Sequence, residues 1–203
     1  MIELRQARQG DAAKIVDLIY GTPGDEAIAL FGGNVAHARA YGAAKIARQG
    51  VVGNDIHQTF VATDDGVAVG VIRFEVEEER SWTPVEQLRT VLRIVGPAEA
   101  VRMIPRIRAM RNVRNVIRPG LHLTECYVDP AYRGQSVGTT LIEWAERVAV
   151  AGDMRMITCE TMLGSRAQHW VERLGYVVKS VALDPTYTRL LGCPGRTYLE
   201  KTL

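Results

Sequence analysis

The sequence is poor in cysteine, and its cysteines predict neither a disulfide framework nor a zinc site. Only Cys126, Cys159 and Cys193 occur among 203 residues, and no two of them form a C-x-x-C pair. Reduced thiols in the cytoplasm are the simplest interpretation. No apolar run approaches the length of a membrane span, and residues 1–5 lack the apolar core of a signal peptide. The sequence therefore predicts a cytoplasmic protein with no membrane partner and no bound metal.

The charge balance also lacks a strong bias. Lysine and arginine number 25 and aspartate and glutamate 23, which leaves a formal net charge of +2. Such a balance gives no indication of a nucleic-acid partner. The hydrophobic content of 47% is sufficient for a large core without disulfides. We therefore expect one domain that spans residues 1–203.

Strand and helix patterns alternate along most of the chain, with turn residues between them. The predicted order is strand, two helices, three strands, helix, strand, helix and two strands. Asp64-Asp65-Gly66 is a hairpin signal between the second and third strands. The predicted strands cover residues 2–6, 58–63, 67–76, 121–128, 154–161, 176–183 and 196–203, and the predicted helices begin at residues 11, 25, 137 and 165.

The most informative segment lies between residues 127 and 141. Here a strand pattern ends at Asp129-Pro130, and a helical pattern begins after a loop of small residues. Backbone N–H groups at a helix start are unpaired, and the helix dipole adds partial positive charge, so the loop suits a phosphate or pyrophosphate. Gly134 and Gly138 would let the main chain approach a ligand closely, and Arg133 would supply a cation. The segment predicts an anion-binding site.

These residues resemble the acyl-CoA-binding signature of the GNAT acetyltransferase superfamily. That signature is Arg or Gln, two variable residues, Gly, one variable residue, and Gly or Ala. Arg133 matches the first position and Gly138 the last, whereas Ser136 stands where the middle glycine is usual. The order of elements is also similar to the family fold. The resemblance implies an α/β, GNAT-like fold with a mixed, mostly antiparallel central sheet flanked by helices, and a helical insertion between the third and fourth strands.

The resemblance further implies an N-acetyltransferase that moves an acetyl group from acetyl-CoA, its co-substrate, to an unidentified primary amine of a small molecule or peptide. The pyrophosphate would lie on the amides of the loop, and the pantetheine arm would run along the fourth strand like an added strand. The residues that the resemblance assigns to the cofactor are Cys126, Tyr127, Val128, Arg133, Gly134, Gln135, Ser136, Val137, Gly138 and Thr139.

Two proton transfers have to be assigned if this reaction takes place. A primary amine is mostly protonated at pH 7, so a carboxylate must accept its proton before the amine attacks. Glu125 on the fourth strand is the predicted base, and a solvent-facing or ion-paired carboxylate is the alternative interpretation. Many family members protonate the departing thiolate with a tyrosine on the late helix, but aligning Trp170 with the preceding aromatic residue places Val171 there. Tyr198, Tyr187 or water would have to replace it.

Residues 81–119 lie where the family usually has a short turn. Apolar residues recur there at helical spacing, and between residues 98 and 118 six arginines accompany one acid, Glu99. Pro105 is predicted to kink the helix or to begin a new one. Solvated arginines on a capping hairpin, a homodimer interface, and a wall that attracts an anionic substrate or the CoA phosphates all fit this pattern. Glutamates at residues 75 and 77–79 could instead pair with the arginines.

Two other classes of function fit part of the sequence. A non-catalytic CoA-binding sensor or partner-binding domain would account for Ser136 and for the missing tyrosine. The residues from Gly134 to Gly138 also form Gly-x-Ser-x-Gly, the nucleophile elbow of α/β-hydrolases. The elbow requires the strand to end at the motif, however, and here Pro130 and further residues intervene. His169 is the one histidine that follows the motif.

Overall fold

The computed structural model describes residues 2–21, 26–49, 59–75, 84–113 and 120–203. Within these ranges the strands are β1 (Glu3–Gln6), β2 (Thr59–Asp64), β3 (Val67–Glu75), β4 (Leu121–Val128), β5 (Met156–Met162), β6 (Val177–Leu183) and β7 (Gly195–Thr202). The helices are α1 (Ala12–Tyr20), α2 (Glu26–Leu30), α3 (Val35–Gln49), α4 (Pro84–Asn112), α5 (Val137–Ala151), α6 (Arg166–Arg173) and α7 (Pro185–Leu191). The sequence did not predict α7.

The strands form one mixed sheet in the order β1-β2-β3-β4-β5-β7-β6. All neighbours are antiparallel except β4 and β5, which are parallel. The hairpin between β2 and β3 turns at Asp65 and Gly66, which both have positive φ angles (49° and 79°) and so match the twist of the flanking strands. The predicted fold class, a mostly antiparallel sheet with a helical insertion between the third and fourth strands, is confirmed.

The sheet is covered on both faces. On one face, α5 packs Leu141 and Ile142 into a core with Ile72 of β3. On the other face, α1 and α3 form a second core, to which α1 contributes Ile15. Gly70 of β3 allows α5 to approach closely, because a Cβ there would lie 3.0 Å from Leu141 Cδ1. Both faces bury aliphatic residues, which accounts for the strongly apolar second and third strands.

The insertion is helical as predicted, but its break lies at Gly96 and not at Pro105. Gly96 has a φ of 76° and a ψ of 168°, which interrupt α4 and leave two helical halves. A residue before proline is disfavoured in the helical region, and glycine before Pro97 can adopt the alternative at little cost. Ile104, which precedes Pro105, stays helical, since Gly96 is the residue with non-helical angles inside α4. Met103 is fully buried and anchors the second half in the core with α1.

The described helices include none that is long and apolar enough to cross a bilayer. The acidic run at residues 75–79, which was considered as a partner for the arginines of the insertion, lies outside the side chains that the structure describes. Arg114 and Arg118 lie outside them as well.

Candidate active site

A bulge in β4 marks the point where β4 separates from β5. In the pairing with β3, Arg73 lies opposite Glu125 and Phe74 lies opposite Leu123, so Thr124 is an extra residue. The parallel pairing with β5 covers only residues 121–123 and ends at Leu123 and Cys159. Among the described strands, β3 alone therefore pairs with residues 125–128 of β4. The backbone of this part of β4 faces a gap on its β5 side.

The bulge also decides which way Glu125 points. Strict alternation would place Glu125 on the same face as Leu121 and Leu123, which pack in the core with α5. Because Thr124 is extra, Cys126 and not Glu125 packs against that core. Glu125 therefore points to the opposite face, where α1 and α3 lie.

On that face Glu125 lines a small cavity between the sheet and the two helices. The aliphatic side chains of α1 and α3 form one wall, and polar side chains from both layers reach the rest. The other lining residues are Ile15, Ile19, Tyr20, Lys45, Ile46, Thr59, Val71 and Arg73. The cavity thus places one carboxylate beside the side chains of Lys45 and Arg73 and beside apolar surface.

The chain leaves β4 through a turn that is anchored to α1 and β3. The N–H of Asp129 donates a hydrogen bond to the Val69 carbonyl at 2.8 Å. Its carboxylate accepts hydrogen bonds from Lys14 Nζ at 2.7 Å and from the Ala131 N–H at 3.1 Å. The bond from Lys14 holds the pKa of Asp129 below its usual value. These bonds fix where the following loop begins.

The loop presents a row of backbone donors at the start of α5. The N–H groups from Gly134 to Thr139 have no hydrogen-bond acceptor in the part of the chain that the structure describes. The first intrahelical acceptor is the Ser136 carbonyl, which the Thr140 N–H reaches at 3.0 Å. Arg133 Nε donates to the Val128 carbonyl at 3.3 Å, and its side chain remains exposed. Six amides, the positive end of a helix dipole and one guanidinium therefore meet here.

Ser136 departs from the family pattern, and Gly138 differs from its sequence-based interpretation. Ser136 has a φ of 61°, a left-handed conformation that glycine adopts more easily, and it caps α5 without a side-chain hydrogen bond. Gly138 lies inside α5, where a Cβ would be 3.1 Å from Trp170 Cζ2. The absence of a side chain at Gly138 thus lets Trp170 of α6 pack closely on α5, a role that sequence reasoning did not identify.

The remaining residues assigned to the cofactor offer mainly their backbone. The side chains of Cys126 and Val128 pack against the α5 core, and Val137 belongs to it. Burial raises the pKa of the Cys126 thiol to about 12, so the thiol is neutral at physiological pH. Tyr127 packs against the core on the other face. Along β4, main-chain groups are therefore the accessible polar atoms.

The side chain at the usual tyrosine position and the two tyrosines that could replace it are all buried. Val171, which occupies the usual tyrosine position, packs in the α5 core, and Tyr187 is enclosed in a core with α4. Tyr198 lies opposite Glu160 in the pairing of β5 with β7, one residue beyond the point where β4 and β5 separate. Burial raises the pKa of Tyr198, which favours its protonated form. Of the two candidate tyrosines, Tyr198 is thus the one that lies beside the gap in the strand register.

Sequence reasoning missed one cluster of charges on the same side of the sheet. Arg196 of β7 forms ion pairs with Glu26 of α2 and with Glu160 of β5, the latter at 3.2 Å. The three residues are far apart in the sequence, so no local pattern could have indicated the cluster. It ties α2 to the end of the sheet where β4 and β5 diverge.

The arrangement does not favour the hydrolase interpretation. Ser136 caps α5, eight residues beyond the end of β4, and not at a strand-to-helix turn. No described histidine bonds it: His122 bonds Thr158 at 2.8 Å and His169 bonds Glu172 at 3.4 Å. The described residues also contain no group of histidine, cysteine, aspartate and glutamate side chains that could hold a metal ion.

Comparison with known proteins identifies the family. The sequence matches the model of the acetyltransferase (GNAT) family over residues 35–176, whereas comparison with curated proteins gives no match. Among solved structures, a polyamine N-acetyltransferase of Drosophila melanogaster that forms N-acetylagmatine is 17% identical, with a TM-score of 0.59 and full coverage of both chains. The PaiA N-acetyltransferase of Thermoplasma acidophilum, in complex with coenzyme A, is 12% identical, with a TM-score of 0.59 and coverage of 100% and 99%.

A third structure, yncA from Salmonella typhimurium with acetyl-CoA, is 13% identical, with a TM-score of 0.57 and coverage of 100% of this chain and 94% of that chain. At these identities the likeness concerns the fold. The family model covers well over half of the sequence and includes β4, the loop and α5. The chain belongs to the acetyltransferase (GNAT) family.

Proposed function

We propose that this protein transfers an acetyl group from acetyl-CoA to a primary amine by direct attack of the amine on the thioester. The observation that carries the proposal is the row of unpaired amides from Gly134 to Thr139, which one short turn connects to the end of β4 that has separated from β5. Family membership and the fold likeness to enzymes solved with CoA or acetyl-CoA support the same cofactor.

The pyrophosphate of the cofactor would accept hydrogen bonds from these amides, with Arg133 beside it. The pantetheine arm would lie in the gap between β4 and β5, where its amides can bond the main chain of residues 125–128 as an added strand would. A backbone N–H in this stretch would also stabilise the oxyanion that forms when the amine attacks. The apolar side chains of Cys126 and Val128 point away from this gap and hold the strand in place.

The acceptor enters as an ammonium ion and loses two protons in all, and the sulfur of CoA gains one. Glu125 would accept the first proton from the ammonium, directly or through water, because the bulge at Thr124 directs its carboxylate into the cavity between the sheet and helices α1 and α3. The neutral amine nitrogen then forms a bond to the thioester carbonyl carbon, the carbon–sulfur bond breaks, and the thiolate of CoA leaves with the electron pair. The second proton would pass from the nitrogen of the tetrahedral intermediate to solvent, and Tyr198 or water would protonate the thiolate.

A second candidate function, a CoA-binding domain without catalysis, is favoured by one observation. The position at which many family members carry the acidic tyrosine is held by Val171, which is buried in the core. Such a protein would bind acetyl-CoA by the same amides but would not turn it over.

Release of free CoA in the presence of a panel of primary amines tests the proposal. Agmatine and aliphatic polyamines belong in that panel because the Drosophila relative forms N-acetylagmatine. Turnover with any amine supports catalysis. Thermal stabilisation by acetyl-CoA without turnover on any amine would instead favour the binding domain.

Replacement of Glu125 by Gln keeps the shape of the side chain and removes the base. We expect kcat/KM to fall by a factor of about 100 or more, while the affinity for acetyl-CoA stays the same. The loss should shrink as the pH approaches the pKa of the amine, because deprotonated acceptor is then abundant. Glu143→Gln, at an exposed position on α5, is the matched control and should behave as the wild type. An unaltered pH–rate profile in Glu125→Gln would remove this carboxylate from the mechanism.

A further inference from the structure

The exposed side chains of α4 include aliphatic and arginine residues, and its two acids, Glu86 and Glu99, are partly buried. In the second half of the helix, residues 101, 104, 108 and 111 are spaced by three and four and lie on the face that points away from the buried Met103 and Met110. The two aliphatic members, Val101 and Ile104, are 64% and 55% exposed. We name this set the Arg–aliphatic face, and it consists of Val101, Ile104, Arg108 and Arg111.

The first half of α4 repeats this composition. Val85, Leu88 and Leu92 follow one another at spacings of three and four and are 58%, 55% and 38% exposed. Arg89 and Arg93 are exposed beside them. The same combination of exposed aliphatic and arginine side chains thus occurs in two helical segments, which are separated by the break at Gly96. It is therefore a property of both halves of α4 and not of one helix turn.

The arginines of these faces are not engaged within the described part of the chain. The single acid of the second half, Glu99, already pairs with Arg106 at 2.6 Å and with Arg102 at 3.4 Å. No described carboxylate pairs with Arg108 or Arg111, or with the two arginines of the first half. Their positive charge is therefore available to an external anionic surface.

Charge and composition distinguish between the surfaces that could cover this face. A second copy of the chain, docked by the same face around a two-fold axis, would bring arginines against arginines, which is unfavourable. A nucleic acid would supply phosphates, but single-stranded nucleic acids stack their bases on aromatic side chains, and α4 has none. The exposed aliphatic side chains would also gain no apolar contact from the phosphates of a nucleic acid.

An anionic phospholipid bilayer satisfies both kinds of side chain at once. Valine and isoleucine can enter the boundary between headgroups and acyl chains, while the long arginine stems let the guanidinium groups extend to the phosphates. We propose that the Arg–aliphatic face docks this acetyltransferase on a membrane surface that contains anionic phospholipid. The sequence, with its balanced net charge, predicted no membrane partner, because the basic and aliphatic residues are concentrated on one face only after α4 has folded.

Sedimentation of the purified full chain with vesicles tests this proposal. Vesicles of phosphatidylcholine alone are compared with vesicles that also contain phosphatidylglycerol, over a range of salt concentrations. We expect binding to the mixed vesicles at low salt, weaker binding as salt increases, and little binding to the neutral vesicles. Equal binding to both kinds of vesicle, or no binding to the anionic ones, would overturn the proposal.

Variants separate the two contributions of the face. Each arginine near an anionic surface contributes roughly a fivefold gain in affinity, so Arg108→Gln with Arg111→Gln should weaken vesicle binding by about 25-fold. Val101→Ser with Ile104→Ser should weaken it by about tenfold or more at every salt concentration, because these side chains act by burial. Since all four side chains are exposed, the melting temperature should not change.

Arg155→Gln with Arg173→Gln removes the same charge from exposed positions elsewhere and is the matched control. A control that loses as much binding as the α4 variants would mean that net charge alone attracts the vesicles, and would refute a specific face. Self-association of the free protein, abolished in the Val101→Ser, Ile104→Ser variant and without any vesicle binding, would show that a second copy covers this face and would equally refute the proposal.

Discussion

The conformation of Ser136 allows a sharp test of how the amide row is built. Ser136 has a φ of 61° and caps α5 without a side-chain hydrogen bond. A left-handed conformation costs a residue with a Cβ about 1–2 kcal/mol, and glycine avoids that cost. Glycine also adds freedom to the unfolded chain, which lowers stability by about 0.4–1 kcal/mol. Ser136→Gly should therefore stabilise the fold by up to about 1 kcal/mol.

For a chain of this size that gain corresponds to a rise in Tm of about 2–4 °C, measured by thermal melting in the absence of ligand. The affinity for acetyl-CoA, measured by calorimetry, should be equal or greater, because the same amides are presented with less strain. Ser136→Val should do the opposite on both measurements, since a β-branched residue is a poor fit to this conformation.

The same substitution at a second helix start provides the control. Ser165 caps α6 with a φ of −74°, and its hydroxyl accepts a hydrogen bond from the Gln168 N–H at 3.1 Å. Ser165→Gly gains nothing from relieved strain and loses the cap, so we expect a loss of roughly 0.3–1 kcal/mol. If Ser136→Gly lowered stability as much as Ser165→Gly does, or abolished acetyl-CoA binding, the account of the loop would be wrong and a role for the hydroxyl group would have to be sought.

Two further predictions follow from packing and ion pairing. The bidentate pair between Arg5 and Asp11, at 2.7 and 2.8 Å, lowers the pKa of Asp11, so Asp11→Asn should cost about 2 kcal/mol at pH 7. Its contribution is present above the ordinary carboxyl pKa and is lost as the pH falls through the lowered one, so urea unfolding of wild type and variant should converge in acid; a constant difference would contradict the pairing. Gly138→Leu should destabilise by about 1–3 kcal/mol because of the contact with Trp170, and Trp170→Ala should remove most of that cost in the double variant. Additive losses in that double-mutant cycle would show that the two residues do not share the space.

Local patterns in the sequence were sufficient for most of the architecture. The alternation of apolar residues predicted all seven strands, and the Asp64-Asp65-Gly66 turn predicted the hairpin of β2 and β3. The loop from Arg133 to Thr139 was predicted to present its amides at a helix start because strand end, small residues and helical periodicity follow one another within fifteen residues. These features depend on residues that are close together in the sequence, so the sequence alone is sufficient to predict them.

The tertiary structure decided what depends on pairing between distant segments. The extra residue at Thr124 is defined by the register of β4 against β3, and it turns Glu125 to the face that α1 covers, which no alternation pattern could indicate. Ion pairs between Arg196, Glu26 and Glu160 likewise join three separate elements. The sequence by itself determined the positions, along the chain, of the backbone N–H donors of the loop and of the Glu125 carboxylate. Only the folded sheet determined which of them share a face, because strand register and helix packing are settled by contacts between residues far apart in the chain.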